Sequence, residues 1–299
     1  MRSPAIPALV LLWLLAPGGP AGAAEETDCA PRIQRATADS LRYDPFAPRE
    51  IGGNLLIEIV NEGGSACRLS LGLEAANGDR LQVRGPGGSI AYRLRPRRDG
   101  FDSGPGPLAR NLDVAVGANG RLRLPIAIEI APGVVVPPGH YDDLLQLRLF
   151  GPDGTARGDQ ESVRLELEVI AQAQANIAGS AGRFGAGPAF GVIDFGVLET
   201  GERRRAALQI RSNTEVSVRV RSEHGGELEH VRHPDLPGIP YTARFDGTRV
   251  DLAATTELVR RPPGSLAGAR YPLEITIGEV GQRFAGRYRD TLTISIEAR

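Results

Sequence analysis

Two stretches decide how this chain folds. The first is Pro138-Gly139-His140-Tyr141-Asp142-Asp143-Leu144-Leu145-Gln146-Leu147-Arg148-Leu149; the second, nearer the C-terminus, is Ala285-Gly286-Arg287-Tyr288-Arg289-Asp290-Thr291-Leu292-Thr293-Ile294-Ser295-Ile296. Both place Gly, Tyr and Asp at the same spacing ahead of an alternating apolar run, the pattern of a strand with one buried face. After the first stretch a turn leads to Val163-Arg164-Leu165-Glu166-Leu167-Glu168-Val169, a second alternating run that returns along it. After the second stretch the chain reaches Arg299 with no return run. The first unit therefore reads as closed and the second as lacking its last strand. A sandwich in that state exposes an edge and an apolar groove, an aggregation hazard unless another chain covers it. In the final run Tyr288, Asp290, Leu292, Ile294 and Ile296 share one face, and a slip of one residue would turn that row to solvent, so a partner strand must hold its register.

The repeat continues upstream. Leu124-Pro125-Ile126-Ala127-Ile128-Glu129-Ile130 matches Tyr271-Pro272-Leu273-Glu274-Ile275-Thr276-Ile277, Ile90-Ala91-Tyr92 resembles Ile239-Pro240-Tyr241, and Cys67-Arg68-Leu69-Ser70-Leu71 resembles Val216-Ser217-Val218-Arg219-Val220. Short alternating runs between Gly, Pro, Asn and Asp turns, with no window of helical periodicity, give an all-β chain of two immunoglobulin-like β-sandwich domains. We expect the N-terminal domain over residues 24–171, a linker over 172–188 where Gln172-Ala173-Gln174-Ala175-Asn176 passes into a Gly-rich run, and the C-terminal domain over 189–299. The Gly-rich run lacks a preceding βαβ context and a following helix, so it reads as a linker and not as a phosphate cradle.

Arg2, the apolar stretch from Ala5 to Ala16 and the small residues Ala21-Gly22-Ala23 read as a secretory signal peptide, 1–23, too short to span a bilayer. Every basic residue is Arg, which excludes Schiff-base, catalytic-lysine and P-loop chemistry. The formal net charge of −1 leaves no nucleic-acid footprint. Cys29 and Cys67 are the only cysteines, and in an exported chain an even pair favours one disulfide, tying the mature N-terminus to a strand of the first unit.

Chemistry-bearing residues have blander readings. His224, His230 and His233 crowd one segment beside Glu223, Glu227 and Glu229, but their spacing fits no metal motif, and a solvated loop is expected. His140 and Asp142 flank Tyr141, yet the repeat replaces them with Arg287 and Arg289 while keeping Tyr141/Tyr288 and Asp143/Asp290. What persists reads as architecture: corner tyrosines bury the ring and bond backbone through the hydroxyl. Arg157-Gly158-Asp159 is expected in an exposed turn, and Arg203-Arg204-Arg205 in a solvated one. No catalytic motif stands out, so the chain reads as a non-enzyme without cofactor.

On Ile193-Asp194-Phe195-Gly196, Ser212-Asn213, Ile239-Pro240-Tyr241 and Ala285 to Ile294, with Leu41-Arg42-Tyr43-Asp44-Pro45-Phe46 in the first copy, the chain resembles the spore coat U domain family, subunits of archaic chaperone–usher pili. The resemblance spans nearly the whole mature chain and is clearest in the second half. It implies a periplasmic chaperone, an outer-membrane usher and a neighbouring pilus subunit as partners, with the partner strand seated beside Tyr288, Leu292, Ile294 and Ile296 while Tyr141 and Tyr241 hold the frame. It further implies a tip-like member whose first domain binds a surface receptor and serves attachment and biofilm formation. Two alternatives remain open at this point. One is a free-standing periplasmic or extracellular binding protein of two complete sandwiches; the other is a periplasmic chaperone, disfavoured by the absence of lysine.

Overall fold

The alternating runs become strands, and the two repeats become two sandwiches. The structure is a computed structural model that describes residues 28–76, 80–98, 101–102, 111–179, 184–185 and 187–299, so the expected signal peptide lies outside the described residues. In the first domain one sheet runs in the order Pro31–Ala38, Ile51–Asn61, Arg121–Ile130, Arg93–Arg98, Phe101–Asp102. The other runs Leu41–Tyr43, Ala156–Val169, Gly139–Phe150, Cys67–Ala75, Asn111–Val116, with the hairpin Gln82–Gly85 and Gly88–Ala91 beside Gly139–Phe150. These are the A-B-E-D and G-F-C arrangements of an immunoglobulin-like sandwich. The core lies between them: Leu55, Ile57 and Ile59 from one sheet and Leu71, Leu147 and Leu165 from the other belong to one buried cluster.

The second domain repeats the plan, but its described residues form no counterpart of Leu41–Tyr43 or of Ala156–Val169. Its larger sheet runs Ala173–Ile177, Arg203–Ser212, Ala269–Ile277, Ile239–Phe245, Glu227–His230, Tyr288–Arg289, and Thr248–Val250 pairs with Ile239–Phe245. Its smaller sheet has Thr256–Arg260, Val216–Ser222 and Leu292–Ala298, with Leu292–Ala298 at the edge. Val216, Val218 and Val220 face Ile210, Ala243 and Phe245 across the core. No helix among the described residues is long and apolar enough to cross a membrane.

Three expectations change. The linker expected at 172–188 contributes a strand, Ala173–Ile177, paired antiparallel with Arg203–Ser212 in the register Ala173↔Ser212 to Ile177↔Leu208. The Gln-Ala alternation is therefore a strand pattern whose small side chains Ala173 and Ala175 pack against the second core. Arg157-Gly158-Asp159 lies inside the long strand Ala156–Val169, at a register shift against Gly139–Phe150, and Gly158 takes φ +70° there. The turn that precedes it is Gly151 to Thr155, closed by the Gly151 amide on the Thr155 carbonyl. Arg203-Arg204-Arg205 opens the strand Arg203–Ser212 instead of forming a turn.

The domains meet through a polar joint. The Asn213 side chain accepts from the Gln172 amide at 2.8 Å and donates to the carbonyls of Ile170 at 2.9 Å and Val136 at 3.2 Å. Beside it the Arg211 guanidinium sits over the rings of Phe46 and Phe184, 4.7 and 4.5 Å from their centroids, a cation–π arrangement.

Cys29 and Cys67 form a disulfide across a sequence separation of 38, with Cα atoms 5.5 Å apart. Cys67 begins the strand Cys67–Ala75 and is buried in the first core. Closing a loop of this length removes about 4 kcal/mol of unfolded-state entropy in the simple chain model. The double substitution Cys29→Ser/Cys67→Ser should lower the first domain's thermal transition and leave the second's in place. Differential scanning calorimetry resolving the two transitions checks this, and a shift confined to the second domain would contradict it.

Candidate functional site

A strand with an apolar inner face needs a neighbour on both edges, and the repeat shows what that neighbour does. In the first domain Ala156–Val169 lies antiparallel to Gly139–Phe150, setting Val163 opposite Leu145, Leu165 opposite Asp143, Leu167 opposite Tyr141 and Val169 opposite Gly139. Its other edge pairs in parallel with Leu41–Tyr43. Leu145, Leu147 and Leu149 are 0% exposed as a result. Their counterparts in the second domain are Leu292, Ile294 and Ile296, brought to the edge by pairing with Val216–Ser222 in the register Val218↔Ile296, Val220↔Ile294, Ser222↔Leu292. Here Leu292, Ile294 and Ile296 are only half-buried, because no strand lies along the second edge of Leu292–Ala298 among the described residues.

Other apolar side chains share this state. Ile193, Phe195 and Leu198, which in chain order stand where Leu41–Tyr43 stands in the first domain, are half-buried against the second core, as are Val280 and Tyr288. Along the same segment Phe190, Val192 and Val197 face solvent at 85% exposure or more. Covering a half-exposed aliphatic side chain is worth on the order of 1 kcal/mol, so an incoming strand that covered several of them would gain several kcal/mol before any backbone bond formed.

The start of each edge strand is fixed by a tyrosine–aspartate bridge that the sequence displayed only in part. In the first domain the Tyr92 hydroxyl donates to Asp143 Oδ2 at 2.8 Å, and the Leu144 amide donates to Oδ1. In the second, Tyr241 donates to Asp290 Oδ2, the Ser222 hydroxyl joins it there, and the amides of His224 and Thr291 donate to Oδ1. The repeat marked Tyr92/Tyr241 and Asp143/Asp290 separately; that each tyrosine meets its own domain's aspartate needed the fold. The corner tyrosines follow a second shared rule, each donating to the carbonyl four residues back: Tyr141 to Pro137 at 2.9 Å and Tyr288 to Phe284 at 2.9 Å. Tyr141 also donates to Pro86 and is fully buried, whereas Tyr288 is half-buried.

The histidine segment is more ordered than a solvated loop. His230 is 3% exposed and ends the strand Glu227–His230, paired with Tyr288. Its Nδ1 accepts from the amides of Arg232 and His233, its ring stands edge-on to Tyr288, and its Nε2 faces Gly286, where a Cβ would come within 2.0 Å. Only glycine fits that contact. His224 is half-buried, with Nδ1 3.0 Å from Asp290 Oδ1 and Nε2 3.4 Å from Glu229. Glu223, His224 and Asp290 bring ligand-type atoms within 4.8 Å of one another, and both Asp290 oxygens accept from the four donors already named, which bind the corner together.

The two bridging aspartates titrate in opposite directions. Burial raises the Asp143 carboxyl above the ordinary carboxylate value, and its hydrogen bonds from Tyr92 and backbone amides do not offset this. Burial acts on Asp290 too, but the hydroxyls of Ser222 and Tyr241 and the amides of Thr291 and His224 outweigh it and hold that carboxyl low. Both tyrosines are pushed upward, chiefly by burial, so neither ionises in the physiological range.

No family model matches the chain, and no curated protein does. Among solved structures it is similar to the CsuC–CsuE chaperone–tip adhesion subunit pre-assembly complex from the archaic chaperone–usher Csu pili of Acinetobacter baumannii, at 13% identity over 90% of this chain and 100% of that chain, with a TM-score of 0.47. The CupB6 tip adhesin of Pseudomonas aeruginosa follows at 12% identity, over 89% of this chain and 94% of that chain, with a TM-score of 0.40. A variant of the CFA/I adhesin CfaE of enterotoxigenic E. coli is matched at 11% identity, over 91% and 82%, with a TM-score of 0.34.

Opposite shifts give opposite acid responses. Asp290, held low in the folded state, contributes stability that is present above the ordinary carboxylate pKa and lost as pH falls through its lower folded value. Asp143, held high, contributes stability that is full below the ordinary value and lost as pH rises through its raised one. Between pH 5 and 2 the second domain's urea midpoint should therefore fall more steeply than the first's, and Asp290→Asn should flatten that fall. Equal slopes in the native chain, or an unchanged slope in Asp290→Asn, would contradict the assignment.

Proposed function

We propose that this protein is an exported pilus subunit whose second domain is completed by a strand from another chain. The observation that carries this is the contrast within the molecule: Leu145, Leu147 and Leu149 are sealed by a return strand, whereas Leu292, Ile294 and Ile296 line an edge that no described strand covers. Addition of a strand to such an edge gains affinity from main-chain hydrogen bonds and specificity from alternate side chains entering the groove. In this reading Tyr288, Leu292, Ile294 and Ile296 receive the inward side chains of the incoming strand. The first occupant is a periplasmic chaperone. The next is the neighbouring subunit, after delivery through an outer-membrane usher.

In this reading the first domain, whose strand Gly139–Phe150 is paired by Ala156–Val169, folds without a partner. That division of labour supports a tip position in which the first domain contacts a surface receptor and the second anchors it to the fibre, in the service of attachment and biofilm formation. The family resemblance noted from the sequence points the same way. The first 23 residues serve in this reading as the export signal.

The molecule supplies its own probe. A synthetic peptide of residues 161–169, Glu-Ser-Val-Arg-Leu-Glu-Leu-Glu-Val, has the alternation that seals the first domain. Added to the full chain, it should raise the second domain's urea midpoint and its resistance to protease. The same peptide with Asp at the positions of Leu165 and Leu167 should do neither, and Ile294→Asp or Leu292→Asp in the chain should abolish the response. If the second domain unfolds cooperatively at one midpoint with and without peptide, its sandwich is already complete, and a free-standing binding protein becomes the better reading.

A further inference from the structure

The outer faces of two equivalent sheets, that of Ile51–Asn61, Arg121–Ile130 and Arg93–Arg98 in the first domain and the larger sheet of the second, carry different charge. In the second domain one row crosses four strands: Arg205 lies opposite Glu274, Glu274 opposite Arg244, and Arg244 opposite Arg249. All three arginines are exposed. Arg203 lies one inter-residue repeat along the same face and Arg270 lies on the neighbouring strand, both exposed. Glu274 is the one acid in this row, and Arg205 holds it at 2.6 Å. Its carboxyl is drawn low first by the hydrogen bond from Arg205 and then, against its own burial, by the charges of Arg205, Arg203 and Arg244, so all three act on one site. Arg203, Arg244, Arg249 and Arg270 form no ion pair among the described residues.

The equivalent row of the first domain is Asn54, Ala127 and Arg95. There Arg95 pairs with Glu129 at 2.7 Å, Arg123 with Glu58 at 2.9 Å, Arg93 with Glu50 at 3.1 Å and Arg32 with Glu62 at 2.8 Å, while Arg35 and Arg121 stand at the margin of the face, outside this row. The fold therefore does not require an arginine row. Like charges directly opposite across two strands, as in Arg244 and Arg249, destabilise a sheet. A chain of net charge −1 that concentrates unmatched guanidinium groups on one flat face has an anion-binding surface there.

We infer that this face docks an acidic polysaccharide, its carboxylate or sulfate groups held by Arg203, Arg205, Arg244 and Arg249. With neighbouring strands about 5 Å apart, Arg249 is one strand from Arg244 and Arg205 two strands from it, and the planar forks of guanidinium groups bind carboxylate and sulfate oxygens pairwise. The row is flat and carries no aromatic ring among its described residues, so it offers bases nothing to stack on and lipid nothing to insert. An extended chain bearing regularly spaced anions fits this surface better than either. This surface belongs to the opposite sheet from the open edge, and its occupancy does not depend on the strand-acceptor reading.

The test uses the full chain and a heparin-derived octasaccharide as probe, with dissociation constants measured by calorimetry at low and raised salt. Arg203→Ala/Arg249→Ala leaves the Arg205–Glu274 pair intact and should weaken binding at low salt by about tenfold or more. Arg68→Ala/Arg121→Ala removes the same charge from exposed positions of the first domain and should change it by less than about twofold. Circular dichroism and the urea midpoint of each variant establish that it is folded. Equal losses in the two double variants would reduce the effect to net charge and overturn the assignment. So would the absence of octasaccharide binding, or tighter binding to duplex DNA or to phosphatidylglycerol vesicles than to the octasaccharide.

Discussion

Pairing of both edges of the strand that starts with Gly-x-Tyr-x-Asp is the constraint on which the rest of the molecule depends. Such a strand offers an apolar row to the core and an unpaired row of amides and carbonyls to whatever lies beside it, and both rows must be satisfied together. Gly139–Phe150 meets this within its own domain, through Ala156–Val169 on one side and Cys67–Ala75 on the other. Among the described residues Leu292–Ala298 meets it on one side only, through Val216–Ser222. From that difference follow the sealed core of the first domain and the half-exposed row Leu292, Ile294 and Ile296.

The tyrosine–aspartate bridge fixes where the edge strand begins. Asp290 receives Tyr241, Ser222 and two amides at the point where the chain crosses from the larger sheet at Tyr288–Arg289 to the smaller at Leu292–Ala298. The start of the edge strand is thus held by side chains of its own domain, and its length by the register with Val216–Ser222. For the strand addition proposed above, an edge already formed would leave little to order beyond the added strand itself, which lowers the entropic cost of binding. His230 reinforces the same corner from outside, its ring packed between the Gly286 backbone and the Tyr288 ring.

Much of this was legible in sequence because period-two alternation and the spacing of Gly, Tyr and Asp survive in both copies. The strand assignments, the duplication, the closed and open ends and the pairing of Cys29 with Cys67 rest on such local or countable features. What escaped was long-range. Gln172-Ala173-Gln174-Ala175 has small side chains that signal no strand until Arg203–Ser212 is beside it, and Arg157-Gly158-Asp159 looks like a turn until the register shift against Leu147 to Leu149 absorbs its glycine. His230 carries no mark of burial in a segment rich in Glu and His; only the strand pairing with Tyr288 takes it inside. Asn213 was visible as part of a motif, yet its role came from three partners in other segments, Val136, Ile170 and Gln172.

Comparison of the two copies separates what the scaffold needs from what each domain adds. Tyr and Asp stand at the bridge in both, since an unpaired buried carboxylate at that corner would cost several kcal/mol. The positions that differ lie where the frame leaves freedom. Cys67, which anchors the N-terminus, stands where the second copy has Val216, whose backbone is held by Leu292–Ala298 and Thr256–Arg260 on either side. Asn54 and Ala127 on an outer face stand where the second copy has Arg205 and Glu274, a change that leaves the inward rows untouched because successive residues of a strand face opposite ways. Among the described residues no return strand lies beside Leu292–Ala298, which alters one edge and the row of side chains behind it, while the four strands Ala173–Ile177, Arg203–Ser212, Ala269–Ile277 and Ile239–Phe245 keep their order. The frame common to both copies is therefore the sheet of those four strands, and the strand addition proposed above acts on the other sheet.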